Sequence, residues 1–424
     1  MLNKINNTKN NSEEPISPVF AIEESSRCLL CHDAPCSQAC PVGTDPAKFI
    51  RSLRFRNLKG AVETIRENNI LGGICARVCP TKKYCEGACS RSGIDKPIEI
   101  GKLQRYLTDY ENVLGLKILK PIELKKEKVA IIGSGPSGLA AATKLVQLGY
   151  KVTVFEKREK LGGWLTYGIP DQRLPQYVVD NEIAYIENLG VEFKTNVNVG
   201  KDVTIDSLSK EGYNAFLIAC GMQKSKDVNI NGKQLEGVIG GVDFLSEVKS
   251  KGNYKLGDKV IVIGGGDVAI DCAITAKTLG ASDVKIVYRR TIDKMPAERK
   301  SIQEIIDLNI PIFTGIKPEE IIGKDNKVFR FKGSGMFDDS TLDMSVENVI
   351  FAIGQEQDDV ASISNIEFNN NGIILTEDYK TNIESVFACG DIVEGDKTVV
   401  YALKLGKEAA EKIDEYLNWK EGAR

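Results

Sequence analysis

Eight of the chain's eleven cysteines fall between positions 28 and 89: Cys28, Cys31, Cys36, Cys40, Cys75, Cys79, Cys85 and Cys89. They form two runs, CLLCHDAPCSQACP and CARVCPTKKYCEGAC, each carrying a Cys-Pro pair. Soft thiolates gathered by short Pro- and Gly-containing turns suit iron–sulfur ligation. Zinc competes, because Cys₄ spacing overlaps. A disulfide framework belongs to secreted chains, and the first residues, MLNKINNTKNNSEEPISP, are polar and Asn-rich with no apolar core. Ligands from two runs often interleave, so order alone does not pair them. Cys220, Cys272 and Cys389 are scattered singly, and Cys220 reads as a small core residue. The single histidine, His32, reads as a spacer between cysteines. General acid–base catalysis uses His most often. The common hydrolases and lyases are therefore disfavoured, and no side chain is assigned a catalytic role of its own.

The second chemistry-bearing stretch is KVAIIGSGPSGLAAATKLVQLGYKVTVFE, residues 128–156. An apolar run, Val129 to Ile132, leads into Gly133, Gly135 and Gly138 with Ser134, Pro136 and Ser137 between them. A helical pattern follows, then a strand, Lys151 to Phe155, that ends at Glu156, 18 positions past Gly138. Strand, G-x-G-x-x-G, helix, strand and acid in register form a dinucleotide fingerprint. The glycines admit pyrophosphate at the helix N-terminus, and the acid takes the ribose hydroxyls. Lys157 and the loop KLGGWLTYGIPDQRLP, with Gly163 and Trp164, are placed across a flavin. An ordinary Gly/Pro surface loop is the plain alternative.

A second fingerprint starts at Lys259. Val260 to Ile263 precede Gly264, Gly265, Gly266, Asp267, Val268 and Ala269, a G-x-G-x-x-A variant. The next strand ends at Arg289 and Arg290 rather than at an acid, which leans towards a 2′-phosphate and NADPH, with NADH left open. Val349 to Ile353 reads as one more buried strand, ending at Gly354-Gln355, which brings Ala352 and Gly354 to the same site. Near the C-terminus, Val386 to Cys389 reads as a strand into Gly390-Asp391, and Asp391 can accept from a flavin ribityl hydroxyl. Thr398 and Val399 open a helix aimed at the ring system.

These sites need an α/β chain: an all-α cysteine domain, then two Rossmann-like domains, one inserted in the other. The expected spans are a flexible leader over 1–20 and a helical domain carrying the clustered cysteines over 21–120. FAD takes 127–228 plus 354–424, and NAD(P) takes 229–353. Helices are expected over Asp45 to Arg56, Leu58 to Asn68 and Ile100 to Leu114, a strand over Val191 to Val197, and a linker over Lys117 to Lys128. At 424 residues, 42% hydrophobic and 27% charged, the composition is that of a globular protein. A net charge of −3 with no basic, aromatic-laced face argues against nucleic acid. No apolar run reaches membrane-spanning length.

With these motifs in view, the chain resembles the glutamate synthase small-subunit family, whose domain pair is glutathione-reductase-like. The resemblance covers nearly everything from residue 23. Within it, CLLCHDAPCSQACPVGTDPAKFIRSL, ENNILGGICARVCPTKKYCEGAC and IEIGKLQRYLTD are most similar to the electron-input subunits of bacterial NAD-dependent dihydropyrimidine dehydrogenases. The resemblance implies one 4Fe–4S cluster on Cys28, Cys31, Cys36 and Cys89. It implies a second on Cys40, Cys79, Cys85 and the amide oxygen of Gln104, with Cys75 a non-ligand. Counting cysteines alone would recruit Cys75 instead. Asp267 departs from the Asn common after these glycines, and a carboxylate beside a pyrophosphate is unfavourable.

The implied activity is electron entry: NADH or NADPH reduces FAD, and the clusters lead to an FMN-containing partner that reduces uracil or thymine, or runs in reverse. The assembly would be a cytoplasmic heterotetramer. A glutamate synthase small subunit or a ferredoxin–NAD(P) oxidoreductase is the near alternative. A non-enzymatic redox sensor or zinc scaffold is the distant one.

Overall fold

The computed structural model describes residues 14–424 except 125, 253, 358–362, 364, 371 and 423–424. Their contacts separate two compact units. One comprises Met1–Thr166, Asp171–Gly221 and Asp359–Arg424; the other comprises Tyr167–Pro170 and Met222–Asp358. Most of the expected leader, residues 1–13, lies outside the described residues. A helix, Pro18–Ser26, nevertheless begins inside the 1–20 span, because Ser17 Oγ accepts from Val19 N at 3.2 Å and Pro18 suits a first helical turn.

The helical part of the first unit follows local signals closely. Pro46–Arg54 is capped by Asp45, which accepts from Lys48 N at 3.0 Å. Leu58–Asn68 is capped by Asn57, which accepts from Gly60 N at 3.0 Å. Ile100–Leu114 ends at Gly115, whose φ of 61° suits a residue without Cβ. The helices turn Phe49, Ile50, Leu53, Ile65, Leu103 and Leu107 into one core. Each such side chain contributes about 1.5–3 kcal/mol on burial. Cys28, Cys36 and Cys89 pack on the rim of that core, so the fold of the helices sets where the sulfurs sit.

The remainder of this unit is built on a five-stranded parallel sheet. Its order is Val386–Ala388, Tyr213–Ile218, Lys128–Ile132, Lys151–Phe155 and Glu192–Lys194. The last strand is shorter than the expected 191–197, because Asn196 adopts a φ of 57° that ends extended pairing. The glycine-rich loop after Glu156 contains a short helix, Trp164–Tyr167, that was not expected.

The second unit carries its own parallel sheet, ordered Val238–Gly240, Asn348–Phe351, Lys259–Ile263, Asp283–Tyr288 and Ile312–Thr314. Sequence reading did not anticipate a three-stranded antiparallel sheet, Ile316–Lys324, Lys327–Gly335 and Thr341–Ser345. The unit's edges, 222 and 358, lie outside the expected 229 and 353. The reason is that Lys224–Ser225 pairs antiparallel with Gln355–Glu356. No helix among the described residues is long and apolar enough to cross a membrane.

Candidate functional site

The cysteines assemble in the first unit, and all eleven are free. Burial pushes the Cys28 thiol up, and the Cys89 and Cys31 sulfurs push it further. Burial likewise takes Cys36 up to about 11, with Cys89 and Cys28 adding. Cys31 and Cys89 thus lie within electrostatic reach of Cys28, and Cys28 and Cys89 within reach of Cys36. Cys85 is raised by burial, with Glu86, Cys40 and Cys36 adding. It links the Cys40 neighbourhood to the first set. Thiols held this high must release protons when a metal binds.

The choice between Cys75 and Gln104 turns on two neighbouring helices. Cys75, on Gly72–Val78, is buried; burial takes its thiol up to about 12, and its Sγ lies 3.8 Å from Asn69 Oδ1. Gln104 is also buried, and its Nε2 donates to Gly72 O at 2.7 Å. That bond leaves the amide oxygen without a hydrogen-bond donor among the described residues. Four residues past Cys40, Thr44 Oγ1 is buried with no partner among the described residues, a donor of the kind a cluster sulfide accepts. No three Cys, His, Asp or Glu side chains among the described residues are placed to hold a single metal ion. The donor set suits thiolate-ligated clusters.

The flavin-side residues converge at the carboxyl ends of the first sheet. Gly133 takes a φ of 107°, and a Cβ there would meet Ala219 O at 2.6 Å, so the turn requires glycine. Gly135 has nothing nearer its would-be Cβ than Ala219 O at 4.0 Å, which leaves bare backbone open to a pyrophosphate. Pro136 starts the helix Pro136–Gln147, with Ser137 and Gly138 buried in its first turn. Gly163, φ 56°, lies over this turn: its Cβ would touch Gly135 Cα at 3.0 Å. Glu156 is buried. Its Oε2 accepts from Ser134 N at 3.1 Å and Ser134 Oγ at 2.6 Å, and its Oε1 accepts from Arg158 N at 2.9 Å. A carboxylate has about four acceptor sites, so capacity for a ribose hydroxyl remains.

Trp164 is half-buried at the head of its short helix, and Lys157 is exposed. Gly390, φ 82°, rests on Ser137: a Cβ would meet Ser137 Oγ at 2.4 Å. Burial pushes the next residue, Asp391, up to about 6, and no hydrogen bond engages its carboxylate among the described residues. Thr398 caps the long helix Val399–Gly422 through Oγ1, which accepts from Tyr401 N at 3.3 Å. Open glycine backbone, an acid with spare acceptor sites and an unengaged carboxylate together fit FAD.

In the second unit, Gly264 adopts a φ of 154°, and a Cβ there would meet Ala352 O at 2.3 Å, so these two sequence-predicted residues touch. Ala352 N donates to Ile263 O at 2.8 Å. Gly265 lies under the Tyr288 ring, and Gly266 is open, with Pro296 Cγ the nearest atom at 3.8 Å. Asp267 heads the helix Asp267–Thr278, with Val268 and buried Ala269 behind it. Its Oδ1 accepts from Glu298 N at 3.2 Å, which gives the unusual acid a backbone partner. Arg289 and Arg290 are exposed just past the strand Asp283–Tyr288. Gly354 lies against Lys226, whose N donates to Gly354 O at 3.1 Å. Exposed glycine backbone at a helix start fits a nicotinamide dinucleotide.

Sequence reasoning missed the residues that bind the cysteine helices to the flavin segment within the first unit. Asp396 Oδ2 accepts from both Lys83 and Tyr84, and Tyr84 Oη lies 3.3 Å from Thr398 Oγ1. Burial and the Asp396 carboxylate take the Tyr84 hydroxyl up to about 12. Lys407 Nζ donates to Val42 O and Asn68 O, both at 2.9 Å. Arg66 joins Glu111 and Glu182 in a fully buried triad, with its Nη1 2.8 Å from Glu182 Oε2. Only the Thr398 position had a local sequence signal.

Residues 127–406 match the pyridine nucleotide-disulphide oxidoreductase family. Residues 4–115 match a family described as dihydropyrimidine dehydrogenase domain II, 4Fe-4S cluster. The NAD-dependent dihydropyrimidine dehydrogenase subunit PreT of Escherichia coli O157:H7 is 48% identical over 404 residues, covering 95% of each chain. The glutamate synthase [NADPH] small chain of Halomonas elongata is 31% identical over 438 residues, covering 96% of this chain and 92% of that one. Among solved structures, Mycobacterium tuberculosis FprA in complex with NADPH aligns with a TM-score of 0.61 at 20% identity, over 70% of this chain and 86% of that one. Lactococcus lactis thioredoxin reductase gives 0.57 at 23% identity, over 69% and 100%. These two likenesses concern the fold.

Proposed function

The chain belongs to the pyridine nucleotide-disulphide oxidoreductase family, and we propose, from the 4Fe–4S domain fused to it, that it is the electron-input subunit of a dihydropyrimidine dehydrogenase. It is a flavin- and iron–sulfur-dependent NAD(P)H oxidoreductase. Bound FAD converts two-electron hydride chemistry into single electrons, which 4Fe–4S clusters carry on. One observation carries the reading. The loop holding Cys79 and Cys85 is tied through Lys83 and Tyr84 to Asp396 and Thr398, beside the residues suited to flavin.

In this reading Gly133 to Gly138, Glu156, Lys157, Gly163, Trp164, Gly390, Asp391, Thr398 and Val399 hold FAD. Gly264 to Ala269, Arg289, Arg290, Ala352 and Gly354 hold the nicotinamide nucleotide. Cys28, Cys31, Cys36 and Cys89 hold one cluster, and Cys40, Cys79, Cys85 and Gln104 hold the other. The unengaged amide oxygen of Gln104 supports its place over Cys75. That the 48% identical relative is a subunit of an NAD-dependent dihydropyrimidine dehydrogenase supports a partner. That partner carries FMN and reduces uracil or thymine, the pair forming a heterotetramer. Free cysteines as ligands suit a reducing, cytoplasmic setting.

The test is anaerobic. The purified chain should hold about eight irons and one FAD, and NADH or NADPH should bleach its visible spectrum. With the FMN partner, uracil or thymine should be reduced, and glutamine plus 2-oxoglutarate should not react. The reverse substrate pattern would assign the chain to glutamate synthase. Zinc without iron, or flavin that neither nucleotide reduces, would refute electron entry.

A further inference from the structure

We infer that the tip Arg51–Arg54–Phe55–Arg56, with Leu29 beside it, is the docking surface for an acidic, electron-accepting protein face. The proposal rests on the electron-entry reading and adds where electrons leave. Phe55 is 72% exposed and Leu29 is 43% exposed, although each is a large apolar side chain. Arg51, Arg54 and Arg56 are all exposed, and none has a carboxylate within ion-pair distance among the described residues. Nearby lysines behave differently: Lys48 pairs with Glu67 at 3.2 Å and Lys59 with Glu63 at 3.8 Å. Three exposed arginines without a carboxylate partner, flanking Phe55 in the sequence, stand out on a chain of net charge −3.

The tip is held rigidly. Phe55 N donates to Arg51 O at 3.2 Å, Arg56 N to Leu53 O at 2.8 Å and Asn57 N to Ser52 O at 2.9 Å, with Arg56 at a φ of 58°. An exposed aromatic side chain on a pre-formed backbone turn spares the chain the cost of ordering that turn on binding. Its place in the fold indicates the occupant. Arg54 Nη1 donates to Cys28 O at 3.4 Å. The Cys40 neighbourhood instead meets Lys407 of the flavin-side helix. The Arg51–Arg56 tip therefore borders the cysteine set that sits away from the flavin residues. Charge complementarity selects an acidic partner, and position selects one that takes electrons, the FMN subunit. One NADH supplies two electrons and one proton. Two one-electron passages across this face reduce one FMN on the partner, which draws its further proton from solvent.

The experiment uses the full holo-chain and two variants, R51E/R56E and F55A. Arg54 is left intact because it touches the Cys28 loop. NADH-driven reduction of an acidic flavodoxin, one electron per molecule, is followed by stopped flow across salt concentrations. A neutral quinone reports the nicotinamide-to-flavin half, and co-purification with the FMN subunit reports affinity. The wild-type flavodoxin rate should fall as salt rises. R51E/R56E should lose about tenfold and most of the salt dependence. F55A should weaken the FMN-subunit complex about tenfold. Quinone reduction and iron content should not change. Wild-type rates and affinity in both variants would overturn the docking surface. So would a wild-type chain that NADH bleaches but that never reduces flavodoxin, and electron entry would then still stand. Failure of NADH to bleach the chain at all would instead overturn the electron-entry reading, and the docking proposal with it.

Discussion

Replacing Arg66 by Met should destabilise the first unit by about 4 kcal/mol at pH 8. The guanidinium and both carboxylates have side-chain exposures of 1%. Arg66 Nε is 2.8 Å from Glu111 Oε2, and Arg66 Nη1 is 2.8 Å from Glu182 Oε2. Nη1 also donates to Ile70 O, and the cation lies 5.0 Å from the Tyr185 ring centroid. Met keeps the volume and removes the charge, leaving two buried carboxylates face to face. Breaking a buried pair from one side costs about 3–5 kcal/mol, and the orphaned Ile70 carbonyl adds to that. At about 2 °C per kcal/mol for a unit of this size, the melting temperature should drop by about 8 °C.

The pH dependence has a definite sign. Burial raises the Glu111 carboxyl in the folded chain, against the opposing pull of Arg66. The folded state thus binds more protons than the unfolded state just above the ordinary carboxylate range, and this contribution to stability falls as pH rises through that window. Without Arg66 the window moves up. The variant's deficit should be smaller at pH 5.5 than at pH 8, and adding E111Q should restore about half of the loss at pH 8. Differential scanning fluorimetry with flavin absorbance checks each value. A shift under about 2 °C at pH 8, or a deficit that grows on acidification, would refute the account.

Three further outcomes are expected. Gln104→Ala should lower bound iron or alter one cluster's EPR signal, whereas Cys75→Ala should keep about eight irons; the reverse pattern would make Cys75 the ligand. Burial holds the Asp391 carboxyl at about 6, and flavin hydroxyls donate best to its ionised form, so FAD should be released as pH falls through that value. Asp391→Asn should remove that step in a flavin-fluorescence titration. Arg290→Glu, alone and with Arg289→Glu, should raise KM for NADPH about tenfold more than KM for NADH, read from steady-state dye reduction; equal effects would separate the pair from the 2′-phosphate.

Glycine turns were legible in the sequence because they are local. A φ of 107° at Gly133 and the contact of Gly264 with Ala352 leave no room for Cβ, and that demand appears as spacing. Helix starts at Pro46 and Leu58 were legible for the same reason, with caps one residue before them. Arg66 was not, since Glu111 and Glu182 lie 45 and 116 positions away and share no period with it. Lys407 was not either: its acceptor carbonyls, Val42 O and Asn68 O, could come from any residue type. The antiparallel sheet of the second unit buries only a few apolar residues, among them Ile321, Val328 and Phe331, too few to impose an alternating pattern.

The split sheet also dictates an order of biosynthesis. Tyr213–Ile218 remains an edge until Val386–Ala388 leaves the ribosome, about 170 residues later, and closing a loop that long costs about 4–5 kcal/mol in chain entropy before any contact forms. Until then one edge of an apolar strand, Ala215 to Ile218, is left open beyond its pairing with Lys128–Ile132, which invites aggregation. The inserted unit, encoded between these strands, can fold first and shorten the span. The cysteine helices are made well before Asp396 and Lys407, which fasten them. Cysteines on a nascent chain therefore wait for their flavin-side supports, and a premature stop before Asp396 would remove the partner of Lys83, 313 positions upstream.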